Sequence, residues 1–141
     1  MRSIKLFWDD IWMRLAYDIA TRSNDPRLKV GSVIVTDDNE TVLAIGYNGD
    51  EKGGDNKPDS LEPGCTNFIH SEMNAIAKMN YSDPRPRKIY VTHAPCAVCA
   101  RLIINARIQK VTFCANYRSQ QGLDILRKRG IQVEQCQYQM E

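Results

Sequence analysis

A chain of 141 residues and 16.1 kDa is sized for one domain, and its 43% hydrophobic and 26% charged residues are ordinary for a globular protein. This composition excludes a wholly disordered or collagen-like chain. The 19 Lys and Arg residues against 17 Asp and Glu residues give a net charge of +2, which is too balanced to indicate a nucleic-acid surface. We therefore expect a single domain over residues 1–141.

The first part of the chain predicts a helix and a pair of strands. Apolar residues recur at the spacing of one helical face at Trp8, Ile11, Trp12, Leu15 and Ile19. Pro26 ends that helix, because the residue before a proline disfavours the helical conformation. The runs 30–36 and 42–47 predict two strands, and the polar residues 37–39 predict the turn between them. We expect these strands to form an antiparallel hairpin.

Residues 48–65 are the irregular part of the chain, and a loop of this length inside a domain is usually functional or disordered. After this loop, helices and strands alternate: a helix at 70–80, a strand at 89–92, a helix at 96–106, a strand at 111–114, a helix at 119–129 capped by Ser119, and a strand at 131–134. Such alternation implies crossover connections and parallel strands. We expect an α/β fold with a mixed five-stranded sheet, one antiparallel pair and helices on both faces.

The five cysteines are an odd number, so they cannot all pair within the chain. The N-terminus has no apolar run followed by a small-residue cleavage site, and no stretch approaches the ~18–20 apolar residues of a membrane span. We therefore expect a soluble cytoplasmic protein with reduced thiols, in which closely spaced cysteines bind metal or act in catalysis. We expect Cys114 and Cys136 to be small core or edge residues, and Cys65 has no assigned role.

Two short segments combine residues that bind metal. His70 and Glu72 open one predicted helix, and Cys96 and Cys99 follow Pro95 at the start of another. One histidine and two thiolates suit tetrahedral Zn²⁺ and leave one position for water, whose pKa zinc lowers toward ~7. Glu72 points to a different side of its helix from His70, so it can take the proton of that water rather than bind the metal. The pattern predicts hydrolytic deamination, in which ammonia leaves an amidine-like carbon.

Two other interpretations of these residues stay open. Cys96 and Cys99 could form a redox pair. A structural zinc site would need a fourth protein ligand, and the candidates show no paired spacing: Cys65, His93, Cys114 and Cys136. The full pattern of H-x-E followed by P-C-x-x-C is the signature of zinc deaminases, which favours the catalytic interpretation.

A longer set of segments extends the zinc pattern over nearly the whole chain: 22–26, 29–31, 46–49, 70–76, 91–96 with Cys99, and Tyr117, Arg118, Gly122 and Leu123. Together they resemble the cytidine deaminase superfamily and, more narrowly, the deoxycytidylate (dCMP) deaminases. Ser71 is a departure, because alanine is commoner there. Transfer-RNA adenosine deaminases share the zinc pattern but usually differ at Asn74 and at 46–49. The resemblance implies a cytidine deaminase-like three-layer fold and zinc-dependent hydrolysis of dCMP to dUMP, which supplies dTTP synthesis.

The resemblance also implies a set of substrate contacts. In relatives, a residue like Asn48 contacts the sugar hydroxyl, whereas basic residues near Lys29 and Arg22 line the phosphate end with a tyrosine like Tyr117. The predicted substrate-binding residues are Asn48, Lys29, Arg22, Tyr117, Ala94 and Pro95. Two alternatives stay open, because Asn48 could be a turn residue and Arg22 could cap the first helix.

The loop after Asn48 resembles the effector loop of dCMP deaminases that dCTP activates and dTTP inhibits. The residues that carry this resemblance are Gly49, Gly53, Gly54 and Asn56. Glycines let backbone N–H groups approach phosphates closely. The resemblance implies a homohexamer in which the effector binds between subunits. It also implies that Mg²⁺ binds together with the triphosphate. Alternatively, this segment is a mobile surface loop.

We expect one zinc ion per chain. Some relatives hold a second, structural zinc built from extra Cys and His residues, but this chain has only two histidines.

Three other functions stay open. The zinc pattern specifies only the residues at the reaction centre and not those that select the nucleotide. The enzyme could therefore accept dCTP or another cytosine nucleotide. The chain could be a nucleic-acid editing or binding module, although its near-neutral charge and lack of a basic cluster count against that. It could also be a non-catalytic interaction domain stabilised by zinc, which would have no use for Glu72. We expect neither a membrane nor a nucleic-acid partner.

Overall fold

The computed structural model describes residues 5–62 and 66–137. Its helices are α1 (Trp8–Ala20), α2 (Ser71–Lys78), α3 (Ala97–Asn105) and α4 (Gln121–Lys128). Its strands are β1 (Gly31–Thr36), β2 (Val42–Tyr47), β3 (Arg87–His93), β4 (Ile108–Ala115) and β5 (Gln132–Gln135). Each predicted helix and strand is present in the predicted order, although several ends differ by a few residues. Strand β2 has the predicted bounds.

The strands form one mixed sheet of five strands in the order β2-β1-β3-β4-β5. Strands β1 and β2 form the predicted antiparallel hairpin, and β3, β4 and β5 run parallel. The expectation of a single antiparallel pair is wrong, because β1 also pairs antiparallel with β3. A hairpin pattern specifies only its own two strands, so the sequence carried no signal for this third contact.

The sheet is the middle of three layers. On one face, Trp12, Met13 and Ala16 of α1 pack against Val33 and Tyr90 of the sheet. The other face carries α2, α3 and α4, which pack on side chains that alternate with the first set along the strands. The main core residues of this face are Ile34, Ala75, Ile89, Val91, Ala100, Ile103, Val111, Phe113, Leu123 and Leu126. The predicted three-layer α/β arrangement is therefore confirmed.

Cys114 and Cys136 form a disulfide with Cα atoms 5.1 Å apart, so the expectation of reduced thiols at these two positions is wrong. The physical reason is the register of two parallel strands. Phe113 of β4 pairs with Gln135 of β5, so the next residue of each chain segment lies beside the other. Cys96 and Cys99 are the unpaired cysteines of the part that the structure describes, and Cys65 lies outside that part.

Helix α4 is shorter than the predicted 119–129 at both ends, since it begins at Gln121 and ends at Lys128. Gln120, rather than Ser119, is the N-cap residue, although the Ser119 hydroxyl oxygen accepts the N–H of Gln121 at 3.2 Å. Gly130 follows the helix with a φ of 80°, the left-handed conformation that favours glycine after a helix end.

Within residues 5–62 and 66–137, no helix has the length and apolar character that a membrane crossing requires.

Candidate active site

The predicted metal-binding side chains lie at the N-terminal ends of two helices. His70 is the residue before α2, and Cys96 is the residue before α3. Cys99 adds a third side chain from the first turn of α3. Helices α2 and α3 pack on the same face of the sheet, and their first turns bring these three side chains together. Strand β3 ends at His93 and leads directly into the second of these segments.

Two glycines permit the close packing that brings these segments together. A Cβ atom on Gly46 of β2 would lie 2.3 Å from the carbonyl oxygen of Ser71, so α2 lies directly against the strand. A Cβ atom on Gly122 of α4 would lie 2.1 Å from the carbonyl oxygen of Pro95. A side chain at either position would displace backbone beside His70 or Cys96, so both glycines support the geometry of the site.

His70, Cys96 and Cys99 form a compact group of three metal-binding atoms. The Nδ1 atom of His70 lies 3.4 Å from the Sγ atom of Cys96 and 3.3 Å from the Sγ atom of Cys99. Ligands of a tetrahedral zinc ion, at the usual Zn–N and Zn–S bond lengths, lie about 3.5 Å from one another. The three side chains therefore fit zinc, and they leave its fourth position for water or substrate.

The electrostatics of the group favour a thiolate at Cys96. Hydrogen bonding from the Cys99 thiol, with a further contribution from His70, lowers the pKa of Cys96 to about 3. The backbone N–H of Cys99 also points at this sulfur, at 3.5 Å. The same contacts raise the pKa of His70, mainly through its hydrogen bond with Cys96. A thiolate at a helix N-terminus is the form that binds a metal cation.

Glu72 lies in the first turn of α2, beside the metal-binding group but outside it. Its side chain is 4% exposed, and one carboxyl oxygen, Oε1, accepts the Ser71 hydroxyl at 2.7 Å. Burial raises the pKa of Glu72, because desolvation disfavours the charged carboxylate. A buried carboxyl group with a raised pKa, next to a metal site, is suited to accept and release a proton near neutral pH.

These side chains line a cleft of about 500 Å³, counted to include the part open to solvent. Its lining residues are Asp25, Leu28, Val30, Asn48, Thr66, Phe68, His70, Ser71, Glu72, His93, Ala94, Cys96 and Tyr117. Of the predicted substrate-binding residues, Asn48, Ala94 and Tyr117 are among them. The other three lie outside the lining: Pro95 is buried, with its carbonyl oxygen next to Gly122, whereas Arg22 and Lys29 are exposed.

Asn48 holds the backbone that forms one wall of the cleft. Its Oδ1 atom accepts the N–H of Val30 at 2.9 Å, and its Nδ2 atom donates to the carbonyl oxygen of Leu28 at 2.8 Å. Its own carbonyl oxygen accepts the Ser23 hydroxyl at 2.9 Å. An amide group has a second lone pair and a second hydrogen, so Asn48 can make these contacts and still face a ligand.

Sequence reasoning missed Asp25 and Thr66 as residues of the cleft. Asp25 is 1% exposed, and its Oδ1 atom accepts the backbone N–H groups of Arg27 and Leu28 at 2.9 and 3.0 Å. Its Oδ2 atom accepts the Thr66 hydroxyl at 3.1 Å, which joins the segment after α1 to the segment before α2. The sequence Asp25-Pro26 signals a turn, but nothing local indicates the contact with Thr66.

His93 lines the cleft without belonging to the metal-binding group. The hydroxyl oxygen of Thr92 accepts the N–H of Gly31 at 3.2 Å, which leaves the hydroxyl hydrogen for Nδ1 of His93, also at 3.2 Å. Burial lowers the pKa of His93, so this imidazole is neutral near pH 7. The two histidines of the chain therefore have different surroundings, and only His70 faces both thiols.

The predicted effector-loop residues make contacts that order their own loop. Gly49 forms an isolated bridge with Ile69, the residue before His70. Asn56 accepts the N–H of Asp50 through Oδ1 at 2.9 Å and donates its own N–H to the Asp50 carboxylate at 3.0 Å. Gly53 has a φ of 93°, the left-handed region that favours glycine. A Cβ atom added to Gly54 would lie only 2.6 Å from the Cβ atom of Asp50, so the loop has no room for a side chain at this position.

Comparison with known proteins agrees with this geometry. The family model for the cytidine and deoxycytidylate deaminase zinc-binding region matches residues 6–115. ComE operon protein 2 of Bacillus subtilis is 34% identical over 140 residues, which cover 94% of this chain and 73% of that protein. Human deoxycytidylate deaminase is 36% identical over 122 residues, which cover 79% of this chain and 66% of the human protein.

A solved structure gives the same result for the fold. The dCMP deaminase of the cyanophage S-TIM5, determined in complex with dCMP and dUMP, is 32% identical and has a TM-score of 0.81. The superposition covers 95% of this chain and 100% of the cyanophage chain. The chain therefore belongs to the cytidine and deoxycytidylate deaminases, a superfamily of zinc-binding hydrolytic deaminases.

Proposed function

We propose that this protein hydrolyses dCMP to dUMP and ammonia in a zinc-dependent reaction, carried out by one domain over residues 1–141. The observation that carries the proposal is the group of His70, Cys96 and Cys99 beside a cleft that His70, Cys96 and the buried Glu72 line. A purely structural zinc site does not require a buried carboxyl group beside its ligands. The human and cyanophage relatives carry the name of this activity, which supports dCMP as the substrate.

His70, Cys96 and Cys99 would hold one zinc ion, which lowers the pKa of water toward ~7. Glu72 takes a proton from the attacking water and gives it to the departing amine. Its raised pKa supports both transfers, because the carboxyl group must accept and release a proton at the same pH. Overall, a C–O bond forms at carbon 4 of the cytosine, the C–N bond there breaks, and one water is consumed for each ammonia released.

We assign recognition of the nucleotide to residues that line the cleft or lie next to it. We propose that Asn48 binds the sugar hydroxyl, because its amide group has one lone pair and one hydrogen that are not yet used. We propose that Ala94, which lies two residues before Cys96, contacts the base. Tyr117 lines the cleft, and Lys29 lies in sequence between the lining residues Leu28 and Val30. With Arg22, Tyr117 and Lys29 would approach the phosphate, to which Lys and Arg make charge-assisted hydrogen bonds.

Offering the purified protein dCMP, dCTP, CMP, deoxycytidine and cytosine separates the candidate substrates. We expect dCMP to give the highest kcat/KM, and deoxycytidine to lose at least about 10²-fold, because a site built to bind the phosphate has unpaired groups when it is missing. The loss of cytosine absorbance measures each rate. A higher kcat/KM for dCTP would replace dCMP by the triphosphate as the substrate, and activity on none of the five would contradict the proposed function.

We further infer that the loop after Asn48 binds a deoxynucleoside triphosphate, with dCTP as activator and dTTP as inhibitor. The bridge between Gly49 and Ile69 supports this, since it joins the loop to the residue before His70. Asp50 and Glu51 place negative charge in the same loop, so Mg²⁺ would have to accompany the triphosphate. The effector would lie between subunits of a homohexamer.

The dependence of rate on dCMP concentration tests this regulation. With Mg²⁺ present, we expect dCTP to lower the concentration of dCMP that gives half-maximal rate by several-fold, and dTTP to raise it, which corresponds to a typical coupling free energy of ~1–3 kcal/mol. Sedimentation of the same samples measures the oligomer. A hyperbolic curve that neither triphosphate changes would contradict the regulatory proposal and leave the catalytic one intact.

A further inference from the structure

Two buried serine hydroxyls form a chain of hydrogen bonds that ends on Glu72. The Oγ atom of Ser32 on β1 lies 2.7 Å from the Oγ atom of Ser71, and the Oγ atom of Ser71 lies 2.7 Å from Oε1 of Glu72. Both serines are 0% exposed, and Glu72 is 4% exposed. These hydrogen bonds therefore connect strand β1 to the carboxyl group in the cleft, and neither serine is in contact with solvent.

The direction of these hydrogen bonds follows from the chemistry of the groups. An ionised carboxylate has no hydrogen to donate, so Ser71 must donate its hydroxyl hydrogen to Glu72. The Ser71 oxygen is then left as an acceptor, and Ser32 must donate to it. The arrangement has one direction, from Ser32 to Ser71 to Glu72, and a hydrogen bond to a charged group is about twice as strong as a neutral one.

These hydrogen bonds restrict the orientation of the Glu72 carboxyl group. Its Oε1 atom accepts the Ser71 hydroxyl, so the carboxyl group cannot rotate without losing that hydrogen bond. Ser71 itself is held in place from both sides, by Ser32 and by the close approach of its own backbone to Gly46. A carboxyl group whose rotation is restricted in this way loses less freedom when it reaches the transition state, which is how positioning contributes to rate.

We propose that Ser71, supported by Ser32, is a positioning residue for the proton-transferring carboxyl group of Glu72, an inference that rests on the proposed function. Neither serine is assigned a contact with the reacting atoms. Their effect is on kcat, because they orient a group that acts in the chemical step rather than one that binds the nucleotide.

The test is steady-state kinetics of dCMP deamination by Ser71→Ala, Ser32→Ala and the double variant. Ser71→Ala removes one oxygen and adds no atom, and we expect kcat to fall about tenfold, the size expected for a lost hydrogen bond to a charged group. KM should stay within about twofold, and the zinc content should not change. Ser32→Ala should lower kcat less, about threefold, because Ser71 can still donate to Glu72.

The double variant separates positioning from general damage to the fold. If Ser32 acts only through Ser71, the double variant has the kcat of Ser71→Ala alone, whereas two independent structural defects would multiply. Thr36→Val is the matched control, since it removes a buried hydroxyl at the far end of β1, and its kcat should equal that of the wild type.

The outcomes separate failure of the positioning role from failure of the proposed function. An active wild type whose kcat is unchanged in Ser71→Ala would overturn the positioning role and leave the proposed function standing. A rise in KM with unchanged kcat would overturn it as well, since that result describes a binding residue. A wild type without activity on dCMP would instead remove the proposed function on which this inference rests.

Discussion

Glu72→Gln is expected to lower kcat for dCMP deamination by about 10²- to 10⁴-fold while the zinc content stays unchanged. Glutamine has nearly the same size, and its amide oxygen can still accept the Ser71 hydroxyl that lies 2.7 Å from Glu72. It cannot carry a proton between the attacking water and the leaving amine. Because Glu72 lies outside the group of metal-binding atoms, the ligand set is unchanged. Steady-state kinetics and metal analysis of the same preparation measure both effects.

The matched control for this substitution is Glu134→Gln. Glu134 is an exposed residue of β5 that pairs with Lys110 on the neighbouring strand, away from the cleft. The same change of charge there should leave kcat within about twofold of the wild type, since exposed ion pairs contribute little. A Glu72→Gln variant that keeps more than a tenth of the wild-type kcat would show that another group moves the proton.

His70→Ala is expected to remove zinc and, with it, both activity and a large part of the thermal stability. Structural and catalytic metals stabilise the folded state because the unfolded chain does not hold the ligands together. At free zinc about 1,000 times the dissociation constant, this contribution is about 4 kcal/mol, or a fall in Tm of roughly 10 °C for a domain of this size. Metal analysis and thermal unfolding, each with and without a chelator, measure the loss.

His93→Ala is the matched control, because His93 lines the same cleft but does not face the thiols. This variant should keep the wild-type zinc content and remain sensitive to the chelator. His70→Ala should instead have the same Tm with and without the chelator, since it has no zinc left to lose. If the chelator still lowers the Tm of His70→Ala, the zinc is held elsewhere and the assigned ligand set is wrong.

The proposed zinc ligands and Glu72 could be brought together from the sequence because each lies in a short motif at the start of a helix. His70 and Glu72 are separated by one residue, and Cys96 and Cys99 by two, so local helix geometry alone sets their relative directions. The helices and strands were predictable for a related reason. Their signals, such as the apolar face of α1 and the β-branched run of β1, depend on neighbours within one element.

Contacts between distant segments had no such signal. The hydrogen bond between Asp25 and Thr66 joins two loops, and its existence depends on how both leave the sheet. Likewise, the proximity of Cys114 and Cys136 depends on the register of two parallel strands, which periodicity cannot specify. The chain of hydroxyls from Ser32 to Glu72 is a third example, because it requires α2 to lie directly against the sheet.

The resemblance to relatives indicated which residues to examine, but it did not indicate the contacts that each of them makes. Asn48 lies in the cleft, but its amide also holds the backbone of Leu28 and Val30, a structural role that a motif does not display. Lys29 and Arg22 are exposed, and long flexible side chains at the surface keep many rotamers, which a sequence motif does not specify.

The most direct test of the central claim is to convert dCMP in water enriched in oxygen-18 and to analyse the products by mass spectrometry. We expect dUMP with one oxygen-18 atom at carbon 4 and one ammonia for each dCMP consumed, with turnover lost on removal of zinc and restored when zinc is returned. Unlabelled dUMP, or turnover that persists without zinc, would contradict a zinc-dependent hydrolytic deamination in this cleft.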